Sequence, residues 1–506
     1  MKRKILIPIF AAVMLLFANG CEDYLDVNFD PSNPQVAEGF ALLPPILSQM
    51  VRGETFDARF VGQYVQNWAS TAANNVWDQH GYVPGSDSGG EKWRSHYWSI
   101  GKNIDLVIEQ ATAKEQWDYV GVAKAIRAWS WQTTTDVNGE MILTQAWEPN
   151  RYVFDFDPQE DVYAEVERLC LDAIKDLERT DGAVSQAGLA RGDLVYAGDR
   201  AKWIKFVYSI LAHNAHHLTN KSSYDADKVI DYCNKAMASS ADDFNVPHTG
   251  SNSADGNFFG AVRNNLRVYR PTVFFNNLLN GTVFNGVVDP RQPLMLTASP
   301  DGVFRGVTPL IGDTTNVNNN PRRIPLLWGV APSVTSAAQI PGKYIFKDAA
   351  KHPLVTYFEI QFIKAEAAFI KGDKTTAYAA FRNGVIAHMD FAGVAAADRD
   401  AYLASAAVPQ TENDLTLSHI MLQKYISMWV HGALETWVDM RRYRYSSDVY
   451  TGFTLPGTFY LDNGGKPAYR LRPRYNSEYV WNRESLDVIG GNNPDYHTYE
   501  LWFMKQ

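Results

Sequence analysis

Residues 355–389, VTYFEIQFIKAEAAFIKGDKTTAYAAFRNGVIAHM, constrain the fold more than any other stretch of the chain. Phe358, Phe362, Ala365 and Phe369 recur at spacings of four and three, which places them on one face of an α-helix. Gly372 ends that helix, and Asp373 offers an acceptor to the first amides of the next, whose inner face carries Ala377, Phe381 and Gly384. Small residues at Ala365, Ala377 and Gly384 let the two helices approach closely, so the segment reads as a hairpin of the tetratricopeptide kind.

One hairpin cannot bury its own apolar face, and stacks of at least three units are needed for stability. Further helices are predicted over 99–112, 118–134, 161–178, 196–219, 226–239 and 416–432. In the third of these, Tyr163, Val166, Cys170, Ala173 and Leu177 share one stripe. The spacing between units is irregular, so a strict tandem array is not expected. Two long stretches, 243–345 and 445–497, are rich in Asn, Gly, Pro and Arg, a composition that favours loops, and loops of this length form functional or interaction surfaces. No linker divides the chain into independent domains. The expected architecture is mainly α: a single domain of tetratricopeptide-like hairpins in a superhelical scaffold, with loop-rich insertions. Its 506 residues, 46% hydrophobic and 13% aromatic, are ample for a large core.

The N-terminus has a different purpose. Lys2, Arg3 and Lys4 precede an apolar run from Ile5 to Phe17, followed by Ala18, Asn19 and Gly20, the pattern of a secretory signal peptide over residues 1–20. The run is shorter than the roughly 20 apolar residues a membrane-spanning helix needs. Cys21 follows at once, where a bacterial lipoprotein signal places the thiol that is acylated and becomes the first residue. Ala18 stands where such signals usually carry Leu. Acyl chains, at about 0.8 kcal/mol per buried methylene, would make a stable anchor for the folded region, 21–506. Loss of the leader shifts the net charge from −9 to −12, which argues against a nucleic-acid partner. Cys170 and Cys233 fall at apolar helical positions and read as small buried hydrophobes; a disulfide framework is excluded, while a single bridge between them stays open.

Six segments, in order, resemble the SusD/RagB family, specifically its SusD-like lipoprotein branch. They are CEDYLDVNFDPSNP at 21–34, TDVNGEMILTQAWEPNRYVFDFDPQEDVYAEVERLCLDAIKDL at 135–177, DLVYAGDRAKWIKFVYSIL at 193–211, the KAEAAFIKGD hairpin, QKYISMWVHGALETWVDMRRYRY at 423–445, and RPRYNSEYVWN at 472–482. The chain departs from the family at AHNAHH, 212–217, where arginines are usual. The resemblance implies a lipoprotein anchored through Cys21 in the outer membrane and exposed at the cell surface. Such a protein captures a nutrient and delivers it, as a lid, to a TonB-dependent outer-membrane transporter of the SusC-like kind. The ligand it implies is an oligosaccharide or, alternatively, a peptide. It implies no catalytic residue, cofactor or metal, and Glu22-Asp23 resembles the family's surface-export signal.

Sugars present CH faces that stack on aromatic rings and hydroxyls that need planar polar partners. The segment 67–93 mixes both, so Asn74, Asn75, Trp77, Asp78 and Tyr82 are the expected ligand contacts, with Trp328 a further candidate. Trp93, Tyr97 and Trp98 fall near a helix start and read as core, as does Trp203.

Three motifs admit an enzymatic or metal reading. SDSGG, Ser86 to Gly90, resembles the end of a serine-protease nucleophile motif but lies too near the N-terminus for an upstream histidine and aspartate, and reads as a loop. His213, His216 and His217 stand at helical spacing, close enough for imidazoles to share an ion, but without HExxH. Phe206, Ile210, His213 and His217 also form one stripe typical of a helix edge, which is the plainer reading. DFDPQED, Asp155 to Asp161, lacks the glycine and terminal glutamate of a calcium loop and reads as helix capping. A glycosidase would need a pair of carboxylates that no recognisable signature marks, and a periplasmic tetratricopeptide adaptor is a further alternative. DMRRYRYSSD at 439–448, the densest basic spot, reads as a solvated helix end or a docking contact.

Overall fold

The structure, a computed structural model, describes residues 37–317, 319–329 and 342–506. The proposed leader, Cys21, Glu22 and Asp23 lie outside the described residues. The longer helices are α1 (Gly39–Tyr64), α2 (Lys102–Ala113), α3 (Trp117–Asn138), α4 (Gln159–Glu178), α5 (Arg200–His216), α6 (Ala226–Lys235), α7 (Tyr357–Lys371), α8 (Lys374–Ala392), α9 (Leu417–Ser427) and α10 (Ala433–Arg442). From α2 to α8 each packs against the next, while α9 packs on α7 and α8, and α10 on α1. The mainly helical, tetratricopeptide-like architecture expected from the sequence is the one observed.

The α7–α8 hairpin forms as its residues dictate. The Thr356 side chain accepts from the Glu359 amide while Glu359 reaches back to the Thr356 amide, a reciprocal cap that opens α7. Gly372 closes it at φ 85°, a left-handed backbone that a side chain would strain, and Asp373 accepts from the Thr376 amide at 3.1 Å to open α8. A methyl group on Gly384 would come within 2.9 Å of the Phe362 ring, so the crossing depends on that glycine. Helix α7 is buried on nearly every side. Ile360, Ile363 and Ala367 belong to one core, shared with α3 to α6; Phe362, Ala365 and Ala368 belong to another, shared with α8 and α9. The helix is therefore the spine that joins the two cores.

Helix α1 was not legible in the sequence, because Pro44 and Pro45 lie inside it and read as breakers. Tertiary packing overrides them: Leu47, Met50, Val61 and Tyr64 are buried. Two short antiparallel ribbons complete the described residues' regular structure, β1 (Trp68–Ser70) with β3 (Tyr269–Pro271) and β2 (Phe244–Val246) with β4 (His352–Val355). Ala69 faces Arg270 in the first, and Phe244 faces Val355 in the second. The segments 243–317 and 445–497 are otherwise turns and short helical pieces. No helix of the described residues is long and apolar enough to cross a membrane.

Two readings change. The basic spot at 439–448 is no solvated helix end: Arg441 and Arg442 are buried, and Arg442 donates to both Glu366 oxygens at 2.6 and 3.0 Å and to Asp439 at 2.6 Å. Arg441 donates to the Asp136 carbonyl at 2.7 Å. Breaking a buried pair of this kind leaves a bare charge, at a cost of about 3–5 kcal/mol. The helix-edge reading of the histidine stripe changes as well: His213 and His216 of α5, and His217 just beyond it, are buried against carboxylates. Cys170 and Cys233 are buried, as their apolar positions implied, and the structure leaves them unbridged, which settles what the sequence left open.

Candidate functional site

The sequence-predicted ligand residues do not converge on one opening. Trp77 is only 4% exposed, its ring packed 4.7 Å from Phe60, 5.4 Å from Tyr64 and 4.9 Å from Tyr82. Asp78 is buried and accepts from the Ser70 amide at 3.2 Å; burial pushes its carboxyl up to about 7. Trp328 is buried in the same core as Trp77. Asn75 accepts from the Trp77 amide at 3.0 Å and shapes a turn, and Asn74, at φ 53°, donates its amide to the Leu310 carbonyl. The loop that mixes amides and aromatics is thus a folded turn whose rings point into the core. Tyr82 lies at the base of a cleft of about 410 Å³ walled by Tyr475, Tyr479 and Arg472, whose guanidinium lies 5.6 Å from its ring.

On the other side of the 472–479 segment lies a larger cleft of about 630 Å³, lined by Trp93, Tyr97, Trp98, Trp147, Phe154 and Ile142, with Arg94, Arg474, Ser477 and Glu478 at its polar side. Its floor is set by residues Ser95–Gly101, which form a π-helical turn between a short helix and α2. Such wide turns are rare and recur at functional sites. Trp93 and Tyr97, four residues apart, pack with ring centroids 4.9 Å apart and planes inclined by 54°, and Trp93 is buried. Trp98, one position on, is left 73% exposed at the cleft.

The remaining walls are held by specific bonds. The Tyr97 hydroxyl accepts from the Ile142 amide at 2.7 Å and donates to the Ile142 carbonyl at 3.1 Å. Trp147, at φ 61°, donates its indole N–H to the Tyr97 carbonyl at 2.8 Å, and the Arg127 guanidinium lies 4.9 Å from its ring. A side chain on Gly101 would meet Trp147 at 2.0 Å, so only glycine admits this ring. Asn482 accepts from the Phe154 amide and donates to its carbonyl, both at 2.9 Å, and also donates to Glu478 at 3.0 Å. Glu478 accepts from the Trp93 indole at 3.1 Å, and burial raises its carboxyl above the ordinary range. Asp87, in the SDSGG stretch, pairs with Arg474 at 2.8 Å and accepts from the Asn476 amide and side chain at 3.0 and 2.7 Å. Through Asp87, that stretch pins the wall between the two clefts. Asp157 of DFDPQED accepts from the Leu143 and Thr144 amides at 2.8 and 2.9 Å, fixing the loop beside Ile142.

An open indole face, flanking rings and two arginines suit a ligand with apolar faces and many hydroxyls. Sequence reasoning assigned Trp93, Tyr97 and Trp98 to the core, correctly for Trp93 and not for Trp98. It singled out neither Trp147 nor Phe154. The only local signal was the run Trp93, Tyr97, Trp98, and an α-helical period could not reveal the wider turn.

The comparisons with known proteins agree with this architecture. Residues 31–450 match a SusD-like family model described as starch-binding associating with outer membrane. None of the curated proteins compared with the chain matches it. Among solved structures, a SusD/RagB family protein from Bacteroides thetaiotaomicron is similar at 21% identity and TM-score 0.66, over 92% of this chain and 99% of that one. A SusD-like protein from the same organism gives 20% identity and TM-score 0.69, over 92% and 98%. A chitin-binding protein gives 19% and 0.68, over 93% and 100%. At these identities the structural likeness establishes the fold, while the family match spans most of the chain. The chain belongs to the SusD-like family, whose members are starch-binding, outer-membrane-associated proteins, and it is a binding protein, not an enzyme.

Proposed function

We propose that this protein captures an oligosaccharide in the cleft of Trp98 and Trp147 at the cell surface and passes it to a TonB-dependent outer-membrane transporter on which it sits as a lid. The observation that carries the reading is the exposed Trp98 in an otherwise ordered aromatic cleft. A large ring left open in water is unfavourable for folding and gains free energy when a sugar face covers it. Arg94 and Arg474 are placed to bond hydroxyls at the rim. The family's description as starch-binding and the chitin-binding name of one structural neighbour support a glycan rather than a peptide. The second cleft, with Tyr82, Tyr475 and Arg472, shares the 472–479 wall and offers room for a chain longer than one or two sugars.

The test is isothermal titration of the chain from residue 22 against malto-oligosaccharides, chito-oligosaccharides and mixed peptides. Saturable heat from a glycan, with no product on long incubation, supports capture; heat from peptides alone overturns the glycan assignment. Residues 1–20 act in this reading as a leader, 21–506 as the nutrient-binding region, and Cys21 carries the lipid. The Cys21→Ser variant is expected to leave the outer-membrane fraction and appear in the soluble one, and continued membrane retention would refute lipid anchoring at that residue.

A further inference from the structure

The HNAHH stretch has no part in the aromatic cleft. A small cavity of about 50 Å³ lies between α5, α7 and α10, lined among others by Glu54, Asp136, His213, Glu359, His431 and Glu435. Such a space exceeds what one water-sized occupant requires. The His213 Nε2, one oxygen of Glu359 and one of Glu435 all lie within 4.8 Å of one another, and they come from three different helices.

The hydrogen bonds around this cluster are uneven. His213 Nδ1 lies 2.8 Å from the Ser209 carbonyl, one turn back, and donates to it. That bond fixes the ring and aims Nε2 at Glu359 Oε1, 2.9 Å away. In the neutral ring a lone pair would face a carboxylate oxygen there, so either a proton on Nε2 or a cation lies between them. The neighbouring carboxylates have such centres. Glu54 is paired with Lys92, Asp136 and Glu435 face His217 at 3.3 and 3.1 Å, and Lys424 lies 3.6 Å from Glu435 while bonding Asp439 at 2.7 Å. Glu359, among the described residues, has His213 as its only cationic side-chain partner.

A second observation points to an occupant. His431, in the turn before α10, lines the same cavity, is 6% exposed, and neither of its ring nitrogens has a hydrogen-bond partner. Leaving a buried polar group unpaired costs about 1–3 kcal/mol, which an occupant of the cavity would recover.

We propose that this cavity is a structural site for a divalent transition-metal ion of the zinc class, ligated by His213 Nε2, Glu359 and Glu435, with a fourth position left open on the side of the cavity that His431 lines. A nitrogen and carboxylate-oxygen donor set suits such ions, and donors at about 2.0–2.2 Å from a tetrahedral ion stand roughly 3.3–3.5 Å apart. The observed spread, 2.9 Å for one pair and up to 4.8 Å overall, closes around an ion with small side-chain movements. The ion would join α5 to α7 across 146 residues and α7 to α10, fastening the two cores where α7 links them. Its role is to hold the scaffold, separate from ligand capture.

The test uses the chain from residue 22, produced in medium with added zinc or cobalt, desalted, and assayed for bound metal by mass spectrometry. About one ion per chain is expected, and the cobalt form should show visible absorption of a four-coordinate, nitrogen-containing site. Chelation after partial unfolding should lower the melting temperature, and refolding with zinc should restore it. The Glu435→Gln variant, which keeps the side chain's shape, should lose the ion and the cobalt bands. If that variant fails to fold, His213→Gln tests the same site from its nitrogen donor. Wild-type protein that retains no metal, even when refolded with it, and whose melting ignores both chelator and zinc, overturns the proposal and leaves a simple imidazolium–carboxylate pair. Unchanged metal content in Glu435→Gln overturns it equally.

Discussion

Replacing Trp98 with Ala separates ligand binding from stability, because the ring is already mostly in water. An indole side chain has about 150–250 Å² to bury, so at 73% exposure roughly 180 Å² is open, and a sugar stacked on one face covers about half of it. At about 25 cal/mol per Å², the covered face is worth about 2 kcal/mol, or roughly thirty-fold in Kd. Trp98→Ala should therefore weaken glycan binding by that factor, and Trp98→Phe, with a smaller ring, by less. Little buried contact is removed, so the unfolding free energy should stay within about 0.5 kcal/mol of wild type. Trp77→Ala is the matched control. Its ring is 4% exposed, and its removal should cost about 3–5 kcal/mol of stability. Titration with malto- and chito-oligosaccharides reads the first quantity and denaturant unfolding the second. Wild-type affinity in Trp98→Ala, or a loss of stability as large as that of Trp77→Ala, would refute the assignment of this ring to the ligand.

Gly101→Ala should displace Trp147, whose ring occupies the space the new methyl requires, and so weaken the same glycan several-fold with a measurable drop in Tm; unchanged binding would show that Trp147 is no part of the site. Asp78 supplies a pH test. Its folded pKa, raised to about 7 from an ordinary value near 4, means the folded state holds an extra proton between those limits. Its contribution to stability is present at low pH and is lost as pH rises through that window. Asp78→Asn, neutral throughout, should thus compare more favourably with wild type at pH 8 than at about pH 5 in thermal unfolding. A difference independent of pH would contradict the burial argument.

The helical scaffold was written in local sequence. Phe358, Phe362, Ala365 and Phe369 mark one face of a helix by spacing alone, and Gly372 and Asp373 end one helix and start the next through their own backbone and side-chain chemistry. Such signals need no knowledge of distant residues, and that is why the hairpins and their loop-rich insertions were legible. Helix α1 was not, because two prolines erase its local signal and packing against α10 and the core restores it.

Which aromatic residues meet the ligand was decided elsewhere. Trp77 and Trp98 have the same chemistry and both sit among polar neighbours, yet one packs between Phe60, Tyr64 and Tyr82, and the other stands open beyond a π-helical turn. Burial depends on what the rest of the chain brings to each ring, and Arg474 and Glu478 come to this cleft from nearly 400 residues away along the chain. The same holds for His213. The sequence determined that it lies on a helix face with His217, and only the fold placed Glu359 and Glu435 against them, since charges attract through space and not along the chain.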